Sequence, residues 1–143
     1  MAERREQQLA RCLLAEYLGS AFLAATVVGS GIAAQRLSPG NIGLDLAEDA
    51  AATGAGLFTI ILMFAPISGA HLNEVVSLVD AALGGSRWAA AGDSTVVQTA
   101  GCCCGVVAAN LMFGRSAVTI SPRHGLLALT SFRRSSRRSA SCS

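Results

Sequence analysis

The chain has 143 residues and a formal net charge of +2; 52% of its residues are hydrophobic and only 14% are charged. A soluble domain carries about 25% charged residues because its surface faces water, so this composition excludes an ordinary soluble domain. The net charge is too small to indicate nucleic-acid binding. The sequence offers no nucleophile–base pair and no metal-ligand set, so we expect no enzyme, no metal site and no cofactor.

The first half of the chain contains two apolar segments that are long enough to cross a bilayer. Residues 1–11 form a polar leader, and the apolar segment 12–34 is the first predicted transmembrane helix, since a crossing needs about 20 residues. This segment is too long for the apolar core of a cleaved signal peptide, so we expect it to stay in the membrane. A Ser-Pro-Gly-Asn run predicts a loop over 35–49. Residues 50–67 form the second predicted transmembrane helix, with Pro66 marking its end.

The next segment, 68–84, is apolar but too short to cross the membrane. Its helix-compatible part runs from Asn73 to Leu83 and would cover about 16 Å, roughly half a bilayer. Gly84-Gly85 then ends the helix. Irregular backbone at membrane depth is tolerated only where it is buried in protein or lines a watery cavity. We therefore predict a re-entrant loop and half-helix that belong to a pathway through the membrane.

The remaining chain supplies one more crossing and a polar end. Residues 85–94 are predicted as a loop and 95–114 as the third transmembrane helix. Gly101 and Gly105 leave this helix a flat face for close packing. Residues 115–143 are rich in Arg and Ser and are predicted to be disordered. The expected fold is an all-α membrane protein of three transmembrane helices and one re-entrant half-helix.

Three short patterns resemble the aquaporin, or major intrinsic protein, family. The run from Ser68 to Val76, Ser-Gly-Ala-His-Leu-Asn-Glu-Val-Val, resembles the family's S-G-A-H-x-N-P-A-V signature. The run from Ala15 to Gly19, Ala-Glu-Tyr-Leu-Gly, is similar to its first-helix A-E-F-x-G/A pattern. Gln98-Thr99-Ala100-Gly101 is similar to the Q-x-x-G of its third helix. The three patterns follow the family order over about residues 9–114, the N-terminal half of a member.

The resemblance implies a channel for water or small neutral solutes. Family members consist of two inverted three-helix repeats, and the N-termini of the two half-helices meet at the midplane. Asn73 is the matching residue that would offer its side-chain N–H groups to a solute. Thr53 falls at the family's second-helix selectivity position, where a small hydroxyl suits a wider, more polar pore. Each has a structural alternative: Asn73 as a helix N-cap, Thr53 as helix packing.

Four further residues carry structural expectations from the same resemblance. His71 lies in the motif and is expected to fix the loop by hydrogen bonding more than to contact solute. Glu16 lies in the first helix, where a carboxyl group is costly, so we expect hydrogen bonds to the re-entrant loop. Its alternative is a place in water at the membrane interface. Gln98 and Gly101 are expected to be structural residues of the third helix.

Glu74 departs from the family because it occupies the position of the motif proline. An acid at a helix N-terminus gains about 0.3–1 kcal/mol, whereas a charge at the membrane midplane costs about 2.5–3.5 kcal/mol. Three arrangements remain open: a protonated carboxyl, a carboxylate in water, or a displaced half-helix. An ionised Glu74 would offset the positive helix end that repels cations, so Glu74 is a further candidate pore residue.

A second departure is the absence of a second repeat from the sequence, and a single three-helix half cannot enclose a pore. The Arg/Ser-rich end predicts a truncated or frameshifted reading frame after about residue 120, to be checked in the other frames of the coding DNA. The alternative function is a non-transporting membrane fragment that only packs against other helices. A weaker alternative is an antiparallel homodimer that rebuilds the inverted repeat.

The expected partners are membrane lipid, other copies of the chain or related channel chains, and a small neutral solute if a pore forms. Water, glycerol and metalloid hydroxides cannot be ranked from this half. The composition, with Arg as its sole basic side chain besides His, favours a bacterial plasma membrane. The family orientation places the N-terminus in the cytoplasm. More arginines then lie inside than outside before the polar end: Arg4, Arg5, Arg11 and Arg87 against Arg36 and Arg115.

A first prediction concerns the charge at position 74. Placing a glutamate at the equivalent position of an intact homologous channel is expected to raise its proton and cation leak, because the added charge offsets the positive helix end. The leak is measured in vesicles under an imposed ion gradient. Unchanged proton and cation leak would contradict the prediction.

Overall fold

The computed structural model describes residues 2–117, which form four helices and no strand. Helix α1 spans Ala2–Leu37, α2 spans Ile42–Ser68, α3 spans Glu74–Ala82 and α4 spans Trp88–Met112. Within this range α1, α2 and α4 are long and apolar enough to cross a membrane, whereas α3 is a nine-residue half-helix. The predicted all-α membrane fold is confirmed. Most of the segment predicted as disordered lies outside the described residues.

Three helices begin earlier than the sequence patterns predicted. Helix α1 includes the polar leader 1–11 from Ala2 on, because its Glu, Arg and Gln residues are good helix formers. Helix α2 begins at Ile42, inside the predicted 35–49 loop, where the Asn41 side chain accepts a hydrogen bond from the Leu44 amide at 3.2 Å. Helix α4 begins within the predicted 85–94 loop. Apolar content marks the bilayer crossing, and the helices continue past it.

Pro66 does not end α2, which continues to Ser68. The proline removes only its own N–H from the helix ladder, and the following amides keep their partners. The Gly69 amide donates to the Ala65 carbonyl at 3.0 Å. Gly69 itself adopts a left-handed conformation, with φ 86°, and this turn ends the helix.

Helix α1 lies between α2 and α4 and packs against both, while α3 packs against α4. Two glycines of α4 allow the close approach to α1. A Cβ on Gly101 would overlap the Tyr17 carbonyl oxygen, and one on Gly105 would overlap the Ala21 carbonyl oxygen. The predicted flat glycine face of the third helix is therefore the surface on which α1 lies.

The interior is small because the surroundings of a membrane protein are apolar. One buried cluster joins Ala15, Ile60, Phe64 and Leu72 from α1, α2 and the loop before α3. Large apolar side chains remain exposed on the long helices, among them Phe22, Phe58, Leu62, Met63 and Leu111. These side chains can face lipid or further helices.

Substitution of the packing glycines tests this contact between α1 and α4. Gly105→Val is expected to destabilise the fold by about 1–3 kcal/mol, because the side chain would force the two backbones apart. The folded fraction is measured by denaturant titration in detergent micelles. Gly92→Val is the matched control on the same helix, where a Cβ meets nothing within 4 Å. Equal stability of the Gly105 variant and the control would contradict the packing described.

Candidate functional site

The carboxylate of Glu16 lies at the centre of the site and is 3% exposed. It accepts hydrogen bonds from the Ser68 hydroxyl at 2.5 Å, the His71 amide at 3.1 Å and the Leu72 amide at 2.8 Å. A fourth bond comes from the Gln98 side-chain amide at 2.6 Å. Hydrogen bonds to a charged group are worth about 1.5–3 kcal/mol each, and together they offset the cost of an intramembrane carboxylate.

The loop between α2 and α3 has an unusual backbone. Ala70 and Leu72 have φ of 50° and 51°, in the left-handed region that L-residues rarely adopt. Such conformations cost about 1–3 kcal/mol each and persist where surrounding contacts enforce them. The bonds from the His71 and Leu72 amides to Glu16 supply that enforcement. The loop therefore takes its shape from a side chain on α1.

A second layer of hydrogen bonds links the loop and α3 to α4. The Gln98 amide nitrogen also lies 3.1 Å from the Ser77 hydroxyl, and the His71 ring nitrogen Nδ1 lies 3.3 Å from the same hydroxyl. Gln98 and Ser77 are both buried. Within residues 2–117 the Gln98 carbonyl oxygen has no hydrogen-bond partner. The structure thus brings Glu16, His71 and Gln98 together around the start of α3.

Asn73 caps α3 and lies exposed at its N-terminal end. Its side-chain oxygen accepts a hydrogen bond from the Val75 amide at 2.9 Å. In the described part of the chain its NH₂ group has no hydrogen-bond partner. Capping uses the oxygen and leaves the two N–H groups free, so the cap and the solute-donor interpretations are compatible.

Glu74 is the first residue of α3, and its side chain reaches α4. One carboxyl oxygen lies 3.2 Å from the Thr99 hydroxyl, and the residue is partly buried. Its carboxyl therefore contacts a neighbouring helix, and this contact is compatible with each of the three arrangements considered from the sequence.

Thr53 lies apart from the other predicted pore residues. Ser68 lies fifteen positions after Thr53 on α2, which corresponds to about 22 Å of helix. Its hydroxyl lies 3.3 Å from that of Ser30 on α1, and Ser30 donates to Asp49 at 2.5 Å. The structure places Thr53 in a polar contact between α1 and α2, and it is partly buried there.

Ser68 and Ser77 are site residues that the sequence reasoning missed. Ser77 carried a usable signal, because Glu74, Ser77 and Asp80 recur every three residues in an otherwise apolar half-helix. Ser68 is the first residue of the run that resembles the family signature, so the motif marked the position, but nothing in the sequence indicated its bond to Glu16. Within the described residues no group of three His, Cys, Asp or Glu side chains could hold a metal ion.

Three helices long and apolar enough to cross a membrane, a short helix, and a loop fixed by a buried carboxylate define a multi-pass membrane protein. The chain belongs to the Major intrinsic protein family, whose sequence model matches residues 3–134. The match is wider than the range 9–114 over which the resemblance was drawn. It also includes residues beyond 120, where a change of reading frame was predicted.

Curated relatives include channel proteins of a bacterium, a plant and a tardigrade. The chain is 40% identical to the aquaglyceroporin AqpS of Rhizobium meliloti over 76% of this chain and 46% of the relative. It is 28% identical to the probable aquaporin NIP7-1 of Arabidopsis thaliana over 85% of this chain and 43% of the relative. Aquaporin-10 of Milnesium tardigradum is 42% identical over 67% of this chain and 23% of the relative.

The chain spans less than half the length of these relatives. The aquaporins of the family are channels and not enzymes. No solved structure matches the chain significantly.

Replacement of the central carboxylate tests the architecture of the site. Glu16→Gln is expected to destabilise the fold by about 3 kcal/mol, since an amide has one acceptor oxygen and its NH₂ group would face other donors. The midpoint of denaturant unfolding in micelles measures the loss. Glu6→Gln, at an exposed carboxyl group of the same helix, serves as the control. A Glu16 variant as stable as this control would show that the network contributes nothing to stability.

Proposed function

We propose that the chain forms one half of a membrane channel for water or small neutral solutes. The observation that carries the proposal is the state of Asn73, whose side-chain oxygen caps α3 while its NH₂ group stays free at the helix end. A passing solute needs hydrogen-bond partners to replace those it leaves in water, and a fixed amide donor supplies one. The positive end of α3 lies at the same point.

The proposed solutes are water, glycerol and metalloid hydroxides, without a ranking among them. The aquaglyceroporin among the relatives supports a pathway wider than water alone requires. A small hydroxyl at Thr53 agrees with this size, and we propose it as a pore residue. Its hydroxyl also contacts that of Ser30 on α1.

A closed pathway needs helices beyond the four described. Apolar side chains of α3 are exposed, including Val75, Val76, Leu78 and Val79. Because Asn73 lies on the same half-helix, a second half that covers these side chains would also close the space around it. We propose another copy of the chain or a related channel chain as the source of that second half.

We further propose that the N-terminus lies in the cytoplasm of a bacterial cell. Arg4, Arg5, Arg11 and Arg87 then lie on the inner side, against Arg36 and Arg115 on the outer side, in agreement with the usual bias of basic residues. The bacterial origin of the relative AqpS supports this assignment.

Two substitutions of Asn73 separate its capping role from its proposed solute contact. Asn73→Asp keeps a capping oxygen and removes the N–H donors, so we expect folding to be retained and permeability to fall. Asn73→Ala removes both and is expected to lower stability by about 1 kcal/mol as well. Stopped-flow swelling of vesicles containing the purified chain measures water and glycerol permeability.

The matched control is Asn41→Ala, which removes an equivalent cap at the start of α2. It is expected to cost stability without changing permeability per folded chain. If the unchanged chain conducts no better than empty vesicles, both alone and when co-reconstituted with a homologous channel chain, the channel proposal fails and the non-transporting membrane protein remains. If the Asn73→Asp variant conducts as well as the unchanged chain, Asn73 is only a cap.

A further inference from the structure

We propose that Glu74 is a positioning residue, which ties the first turn of α3 to α4 through the Thr99 hydroxyl and thereby fixes the direction that Asn73 faces. This inference rests on the proposed channel function, because it concerns the same half-helix. It assigns Glu74 a contact with a neighbouring helix at the surface of the described residues, whereas the residue's position in the sequence suggested a place in the pore.

The half-helix has one face that contacts α4, and Glu74 belongs to it. Ser77 and Ala81 are its buried residues and lie three and seven positions after Glu74, the spacing of one helix face. Ser77 contacts Gln98, and Glu74 contacts Thr99, the next residue of α4. The two contacts are one turn apart on α3, so together they fix both the position and the rotation of the half-helix.

Glu74 also stands next to the residue whose orientation matters. Asn73 has an extended backbone, with φ −150° and ψ 131°, and caps the turn that Glu74 begins. The Glu74 side chain lies against α4 while the Asn73 side chain is exposed. A half-helix released from α4 at this end could rotate about its axis, and the free NH₂ group of Asn73 would then move with it.

The Thr99 hydroxyl shows which substitution should preserve the contact. It carries one proton but lies within reach of two acceptors, the Thr95 carbonyl at 2.8 Å and Glu74 at 3.2 Å. It cannot donate fully to both. A glutamine at position 74 would donate its own N–H to the hydroxyl oxygen, and Thr99 could then keep its bond within α4. Glu74→Gln should therefore retain the tie, whereas Glu74→Ala should lose it.

A double-mutant cycle separates this tie from the general benefit of an acid at a helix N-terminus, which needs no partner on α4. Glu74→Ala and Thr99→Val are each expected to lower the folded-to-unfolded ratio roughly threefold to tenfold, and the double variant little more than either alone. Thr95→Val is the matched control. It removes the same kind of intrahelical hydroxyl bond, from Thr95 to the Ala91 carbonyl at 2.9 Å, and lies one turn before Thr99 on α4.

The unfolding titrations are run on the full chain in micelles for all four combinations, with Glu74→Gln as the conservative variant. The proposal requires the stability losses of Glu74→Ala and Thr99→Val to be non-additive. The losses of Glu74→Ala and Thr95→Val must instead add. Equal behaviour of the two threonine variants, or a Gln variant as destabilised as the Ala variant, would overturn the proposal.

A second measurement, water permeability, reports on the orientation of Asn73 and not on the stability of the fold. Water permeability per folded chain is expected to fall in Glu74→Ala and to be retained in Glu74→Gln. If the unchanged chain conducts nothing, alone or with a homologous channel chain, but the cycle shows coupling, the channel function fails and the tie between α3 and α4 stands. If the chain conducts but the cycle shows no coupling, the channel function stands and the positioning role of Glu74 is wrong.

Discussion

The buried carboxylate of Glu16 joins α1, the loop before α3 and α4 at a single point. Its four hydrogen bonds hold two loop residues in left-handed conformations that no local preference favours. The position of the half-helix follows, because α3 begins directly after this loop. Close approach of α1 and α4 is required for Gln98 to reach the carboxylate, and Gly101 and Gly105 make that approach possible. Packing and polar pairing thus depend on each other.

The number and type of elements could be predicted from apolar length alone, since about 20 residues are needed to cross a bilayer. The helix ends could not. Apolar content reports where lipid lies, while a helix continues as long as its backbone bonds are satisfied, as in the polar start of α1 and the Asn41-capped start of α2. Pro66 misled for a related reason: one missing N–H near the end of a helix leaves the later bonds intact.

Within the site, family motifs indicated which residues are important. Their contacts could not be predicted, because the partners lie far apart in the sequence. Glu16 and Gln98 are 82 residues apart in sequence, so the local sequence around either residue does not indicate that the two are hydrogen-bonded. Asn73 was recognisable as both cap and donor. The contact of Glu74 with Thr99 was not, because it depends on how α3 is rotated against α4. For Thr53, spacing gave a family position but no information about the neighbouring Ser30.

The order of the Glu16 partners along the chain also bears on biosynthesis. Glu16 is made first, and its partners follow 52 to 82 residues later. A nascent α1 therefore reaches the membrane before any of the four donors to its acidic group has been made, and an intramembrane carboxyl group without partners is costly. Only after Gln98 has emerged from the ribosome can that group acquire its full set of donors.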